Sequence, residues 1–322
     1  MRKLGCFGIV IALTAVAALF FVVQSWNGAG PAPKAVTVVV PRGATLTDAA
    51  ERLEDAGAIP SARRFLLLAK VFGSGEPIRA GEYLLPARAS QSKILGMMES
   101  GDTLQRFVTI PEGLPSIMVY ETLMATPELS GKVAVPEEGT VLPDSYSYQR
   151  GDTRAAILAR MQRAMRDYLA RAWAKRAADI AVETPREALI LASIVEKETA
   201  KPQERRMVAA VYSNRLEKGM LLQADPTVIY PITRGKPLGR RIRQSELTAK
   251  NGYNTYAEAG LPAGPIANPG RASIDAVLHP AQSDALYFVA DGTGGHVFSD
   301  TLEEHNANVR KWYAIRRKRG EM

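Results

Sequence analysis

One short stretch of this chain places an acid where packing alone would place an alkyl side chain. The run ALILASIVEKET, residues 188–199, follows Thr184-Pro185-Arg186-Glu187. A threonine cap, a proline at the first helical position and a glutamate three residues after the cap predict a helix start there. The helix must weaken before Pro202. At about 100° per residue, Leu191, Ile194 and Val195 share one face and Glu198 falls among them. Burial disfavours a charged carboxylate, so Glu198 is expected to titrate at ~6 to 7 instead of near 4.3. Such an acid holds its proton near neutral pH and can hand it to a leaving oxygen. Glu196 lies on the other side beside Lys197 and reads as a solvated or structural carboxylate. The competing reading of Glu198 is that it ends the helix and pairs with Arg205 or Arg206.

Polar residues after this helix are candidates for substrate contacts. A second helix is predicted from Pro202 to Lys218, stopping at Gly219, and its face of Met207, Ala210 and Val211 places Asn214 on an apolar side. Asn214 either orients Glu198 or a sugar, or packs against its own neighbours, since a buried amide must find partners. LLQADPTVIYPI then reads as a strand in which Gln223, Asp225 and Thr227 interrupt the apolar residues, and these three side chains suit sugar hydroxyls. Asp225, Asp144 and Glu258 are the acids available for a second carboxylate role. Cys6 is the only cysteine, and the three histidines, His279, His296 and His305, lack metal-ligand spacing. Neither a disulfide, a metal nor a cofactor is therefore expected.

The elements that must hold these residues form an α+β chain of 322 residues, long enough for an anchor and two folded domains. Residues 1–3 are a basic stub carrying Arg2 and Lys3. Residues 4–24 contain no charge and match the ~20 apolar residues that cross a bilayer. The positive-inside tendency keeps the N-terminus in the cytoplasm and places everything after about Trp26 outside. A cleaved signal peptide, with an apolar region of about 7 to 15 residues, is the alternative. The net charge of +8 suits nucleic acid, an anionic surface or an acidic polymer. Orientation removes nucleic acid from that choice, and the closing run Arg316-Arg317-Lys318-Arg319 reads as a solvated tail.

A Pro/Gly-rich linker, 25–35, leads into residues 36–103. There VTVVV, two helical stretches around 45–57 and 63–72, and GEYLLP give strand, helix, helix, strand. This order resembles a LysM-type glycan-binding module, and a small α+β spacer is the alternative. In the connecting region, 104–152, Pro111-Glu112-Gly113 echoes Pro41-Arg42-Gly43 as a partial repeat. A helix-rich domain, 153–322, opens with a long amphipathic helix from Thr153 and closes with a hairpin, LYFVA, DGTGGH, VFS.

With these residues in view, the chain resembles the YceG-like endolytic murein transglycosylase family. The likeness rests on ASIVEKET (192–199), LQADPTVIY (222–230), YNTY (253–256), GLPAGPIANPG (260–270), HPA (279–281) and YFVADGTGGHVFS (287–299), in that order. The resemblance implies that the second glutamate of EKET, Glu198, is the single catalytic acid and base. It implies cleavage within a peptidoglycan strand between N-acetylmuramic acid and N-acetylglucosamine, without water, leaving a 1,6-anhydro end. One carboxyl suffices for that reaction, whereas glycoside hydrolases normally use two. It also implies an inner-membrane protein facing the periplasm, with septal and elongation synthases as partners and termination of nascent strands as its task. In such a cleft Tyr253, Asn254 and Tyr256 would stack on and hydrogen-bond to sugar rings, and His296 would line the wall. The Gly/Pro loop 260–270 forms either a cleft wall or a structural turn, and His279 reads as structural. A muramidase-type hydrolase and a non-catalytic glycan-binding scaffold are the rival readings.

Overall fold

The computed structural model describes the backbone of residues 2–321 and side chains from residue 13 onward. The chain is mixed α+β and divides into two compact units, Met1–Arg106 with Ser147–Arg150, and Phe107–Tyr146 with Gly151–Met322.

The first unit contains α1 (Arg2–Asn27), β1 (Val36–Val40), α2 (Leu46–Asp55), α3 (Ala62–Phe72), β2 (Gly81–Leu85) and α4 (Gln91–Ser100). Strand, helix, helix, strand occurs in the expected order, and β1 pairs antiparallel with β2, Val38 opposite Tyr83. The Thr45 and Asp48 side chains close a capping box on α2, and Leu53, Phe65, Tyr83 and Ile94 meet in the core. Residues 25–35, expected as a linker, are packed. Trp26 is buried against Phe65 and Phe72, Ser25 O accepts from Gln91 Nε2 at 2.6 Å, and Ala32 O accepts from Arg88 N at 2.7 Å. The basic stub and residues 4–12 of the expected span lie outside the described side chains. Among the described residues no helix is long and apolar enough to cross a membrane.

Next come β3 (Arg106–Thr109), α5 (Ser116–Ala125), β4 (Ser145–Tyr148), α6 (Arg154–Ala174) and α7 (Pro185–Glu198). After a single 3₁₀ turn at Pro202–Glu204 follow α8 (Arg205–Glu217), α9 (Asp225–Thr233), α10 (Gln244–Leu247), α11 (Arg271–Leu278), β5 (Tyr287–Ala290), β6 (His296–Ser299) and α12 (Leu302–Lys318). In the second unit α7 runs through the core, packed by α6, α8, α9 and α11, with Leu191, Ile194 and Val195 fully buried. Each such side chain contributes about 1.5–3 kcal/mol of burial. The expected cap is present, because Thr184 Oγ1 accepts from Glu187 N while the Glu187 carboxylate accepts from Thr184 N.

The Pro-x-Gly echo is a repeated local geometry. Gly43 and Gly113 both adopt left-handed φ, 81° and 71°. The next amide returns to the proline carbonyl in each case, Ala44 N to Pro41 O at 3.2 Å and Leu114 N to Pro111 O at 3.3 Å. One expectation is corrected and another refined. Residues 225–233 form a helix, not a strand, because Asp225 and Pro226 occupy its first turn, where an acid and a proline are both favourable. The closing basic run, read as a solvated tail, is solvent-facing at Arg317, Lys318 and Arg319 but helical: Arg316, Arg317 and Lys318 form the last turn of α12, where cations favour the helix dipole.

Candidate active site

The site is built on the C-terminal end of α7, where Glu198 is the last helical residue. Leu191, Ile194 and Val195 carry the face that leads to it. Glu198 Oε1 is buried and, among the described residues, has no hydrogen-bond partner. Burial pushes the carboxyl up to about 7, the negative Asp225 adds to the rise, and Tyr212 and Arg215 oppose it. The arginines that could have paired with Glu198 are engaged elsewhere. Arg205 Nη2 lies 3.3 Å from Glu112 and 3.6 Å from Glu196, and Arg206 donates to the carbonyls of His279 and Pro280. Glu196 is structural, since its Oε2 accepts from Gly270 N at 2.9 Å. The two acids of EKET therefore divide their roles by helical phase.

Beneath Glu198, α8 supplies two groups not anticipated from the sequence. The Tyr212 phenol is buried, and burial followed by the nearby Glu198 charge holds its pKa well above the ordinary value. It remains a neutral donor. Arg215 is buried too, with Nε donating to Leu286 O at 2.6 Å and Nη1 to Leu222 O at 2.8 Å. Its guanidinium carbon stands 5.3 Å from the centre of the Tyr287 ring. Burial lowers the Arg215 pKa, while the surrounding tyrosines and Glu198 favour the cation. The signal for both residues was present in helical spacing, because Val208, Val211, Tyr212 and Arg215 share a face.

Of the sugar contacts expected from the sequence, Asp225 and Tyr256 come to Glu198. The Tyr256 hydroxyl donates to Asp225 Oδ1 at 2.6 Å, and Glu198 feels the charge of one and acts on the other. Two others are structural. Thr227 is fully buried, donating to Ala224 O at 2.7 Å and bonded to Thr255 Oγ1 at 2.9 Å. Asn254 is fully buried as well, and its Nδ2 meets the carbonyls of Glu246, Leu247 and Ala249. These two side chains have no surface to offer a ligand and instead hold the 223–227 and 246–256 segments together.

The remaining candidates take other places. Gln223 is exposed, in left-handed φ of 55°, with its amide donating to Thr255 O. Tyr253 packs at 5.0 Å on Tyr230. Asn214 donates to Ser283 O and Ala285 O and lines a separate hollow with Arg206, Glu217 and His279, from which Glu198 is absent. His296 bonds through Nδ1 to Glu204 Oε2 at 2.8 Å, and Thr199, the residue after Glu198, donates to that same oxygen at 3.3 Å. The other acids are committed elsewhere: Asp144 pairs with Arg271 at 2.7 Å and Glu258 accepts from Asn251 N and Gly252 N. Among the described residues no group of three or more side chains is arranged to hold a metal ion.

An α+β framework that presents one protonatable glutamate at the end of a buried helix defines a protein with a single-acid site, and the comparisons give its family. The YceG-like family profile matches residues 38–311, and the chain belongs to that family. It is similar to the endolytic murein transglycosylase of Bacillus subtilis (strain 168), 28% identical over 309 residues, covering 86% of this chain and 84% of the relative. The protein of the same name from Streptococcus pneumoniae serotype 2 (strain D39) is 28% identical over 326 residues, and this chain spans only 58% of its length. Among solved structures, a YceG-like protein from Listeria monocytogenes aligns with a TM-score of 0.52 at 30% identity, covering 85% of this chain and 98% of that one.

Proposed function

We propose that this protein is an endolytic lytic transglycosylase of peptidoglycan in which Glu198 serves successively as acid and base. The observation that carries the proposal is the buried, unpartnered carboxyl oxygen of Glu198, raised to about 7 by burial. The murein transglycosylase relatives named above support the substrate class.

The protonated Glu198 gives its proton to the glycosidic oxygen between N-acetylmuramic acid and N-acetylglucosamine as that bond breaks. Positive charge develops at C1 of the muramyl ring. The carboxylate now present takes the proton of the muramyl C6 hydroxyl while that oxygen closes on C1, giving a 1,6-anhydro end. Glu198 is protonated again and no water enters. Tyr212 and Arg215 favour the carboxylate formed midway, so the proton leaves toward substrate at a smaller cost. Asp225, held by Tyr256, adds a second carboxylate near Glu198 that can offset the developing positive charge.

The same Asp225 favours one second reading, a muramidase in which two carboxylates act and water is the nucleophile. Digestion of sacculi with the full chain followed by mass spectrometry of the ends separates the two. Anhydro-muramyl ends, lighter by one water than reducing ends, are expected, and reducing muramic acid as the sole product overturns the proposal. A non-catalytic scaffold is excluded if Glu198→Gln keeps its fold and loses scission.

Membrane attachment belongs to the same proposal. The apolar run 4–24, with Leu19, Phe20 and Phe21 exposed on α1, supports a single-pass anchor in the inner membrane with the folded part periplasmic. The strand-helix-helix-strand core of residues 36–86 supports a LysM-like glycan-binding role. The domains are then a stub 1–3, anchor 4–24, a packed connecting stretch 25–35, LysM-like module 36–103, connecting region 104–152 and catalytic domain 153–322. Peptidoglycan synthases that deliver nascent strands at the membrane are the partners that suit this placement.

A further inference from the structure

A hollow of ≈ 470 Å³ in the second unit is not accounted for by acid–base chemistry at Glu198. It is bordered by the 112–118 segment, by α9 through Pro226 and Ile229, by the 235–238 loop and by Lys197. Two of those residues, Lys197 and Pro226, directly follow or precede in sequence the carboxylates of the site, Glu198 and Asp225. The hollow therefore lies one residue along α7 and one along α9 from those carboxylates, on a flank of the same two helices.

We propose that this hollow receives the lactyl-peptide substituent of the muramyl residue whose glycosidic bond Glu198 protonates, an inference that rests on the function proposed above. The walls are mainly apolar, with Leu114, Pro115, Met118, Ile229 and Leu238 among them, which suits the methyl groups of lactate and alanine and offers little to sugar hydroxyls. Charge selects the ligand further. Lys236 is neutralised by Glu121 at 2.5 Å, whereas Lys197 has no carboxylate partner among the described residues and only touches Gly113 O at 3.5 Å. One ammonium thus stands at the rim for a stem carboxylate, whereas strands stripped of peptide keep only the lactyl carboxylate beside the ring and offer no alanyl methyl group to the apolar walls.

The hollow is also held in shape before any ligand arrives. Gly113 N donates to Asn268 O at 2.9 Å and Asn268 Nδ2 to Leu114 O at 2.9 Å, and a Cβ at Gly235 would stand 2.7 Å from Pro115 Cβ. A site fixed in this way loses little ordering entropy on binding. The left-handed turn Pro111-Glu112-Gly113, the second copy of the Pro-x-Gly echo, thereby acquires a task as one rim of a specificity pocket.

The test measures binding to the full chain carrying Glu198→Gln, which cannot cut, using glycan strands with intact stems and the same strands stripped by an amidase, which removes the peptide and leaves the shorter lactyl carboxylate. About tenfold tighter binding of stem-bearing strands is expected. Lys197→Ala and Met118→Trp, which remove the charge and fill the hollow, should each bring the ratio of the two dissociation constants toward one, and Lys197→Arg should restore it. An equal affinity for both strands, or a ratio unmoved by both variants, overturns the proposal. So does competition by a short alkyl phosphate but not by an alanyl peptide, which would assign the hollow to a lipid. Scission surviving in Glu198→Gln would instead overturn the acid assignment, so the two failures are read separately.

Discussion

In the mechanism proposed above, a carboxyl group raised to about 7 ties activity and stability to the same proton. In the folded protein Glu198 is raised to about 7 from an ordinary 4.5. Between those two values the folded state keeps a proton that the unfolded chain releases, so this group's contribution is complete below about 4.5 and is lost as pH rises through 7. Glu198→Gln cannot lose it. The variant is expected to outlast the wild type in urea by on the order of 1–3 kcal/mol at pH 8, with the difference closing near pH 4.5. Its strand scission should fall by at least ~10²-fold; wild-type rates from the same variant would end the assignment. Rates of the wild type should decline above pH 7 as the acid form is depleted. Arg215→Met strips hydrogen bonds from buried carbonyls and should cost about 2–4 kcal/mol in denaturant titrations, raising the Glu198 pKa further. Glu198 was legible because an acid on an apolar face is a local pattern. Helical spacing places Arg215 on an apolar face too, but its role was not legible, because its carbonyl partners lie on segments that only the fold brings together.

Elements differ in how much of their geometry their own residues determine. The start of α7 was readable in full, since cap, proline and returning glutamate lie within four consecutive positions. Thr184→Ala removes one half of that box and should cost about 1 kcal/mol of stability, read as a lower thermal midpoint with scission otherwise intact at low temperature. The segment 225–233 was misread because Val228, Ile229 and Ile232 suggest a strand while Asp225 and Pro226 decide for a helix start. Polar motif residues were the other difficulty. Asn254 and Thr227 have the chemistry of sugar ligands, yet each spends its hydrogen bonds on neighbouring loops, and nothing in residue type alone distinguishes those uses. The turn at Gly113 offers a sharper test. Its left-handed φ and a Cβ position 3.2 Å from Glu196 Cγ mean that Gly113→Ala should cost roughly 1–2 kcal/mol, measured by chemical denaturation.

At the scale of the whole molecule, the α+β class and a helix-rich second half followed from the order of periodic segments. The division of the chain did not follow, because residues 147–150 return to the first unit in the middle of a stretch that belongs to the second. Within the first unit Arg150 Nε lies 3.6 Å from Glu82 and Gln149 Nε2 reaches Thr103 Oγ1 at 3.5 Å. Those four residues act as a stitch that sequence order conceals. A shortened protein beginning at Phe107, the natural choice for a catalytic half, would keep the thread and discard the cloth it was sewn to, leaving Arg150 without Glu82 and Gln149 without Thr103. Calorimetry should find that such a fragment melts below the corresponding transition of the intact chain. Excision of the catalytic half therefore calls for replacing residues 147–150 with a polar turn, since the boundary is set in space and not along the sequence.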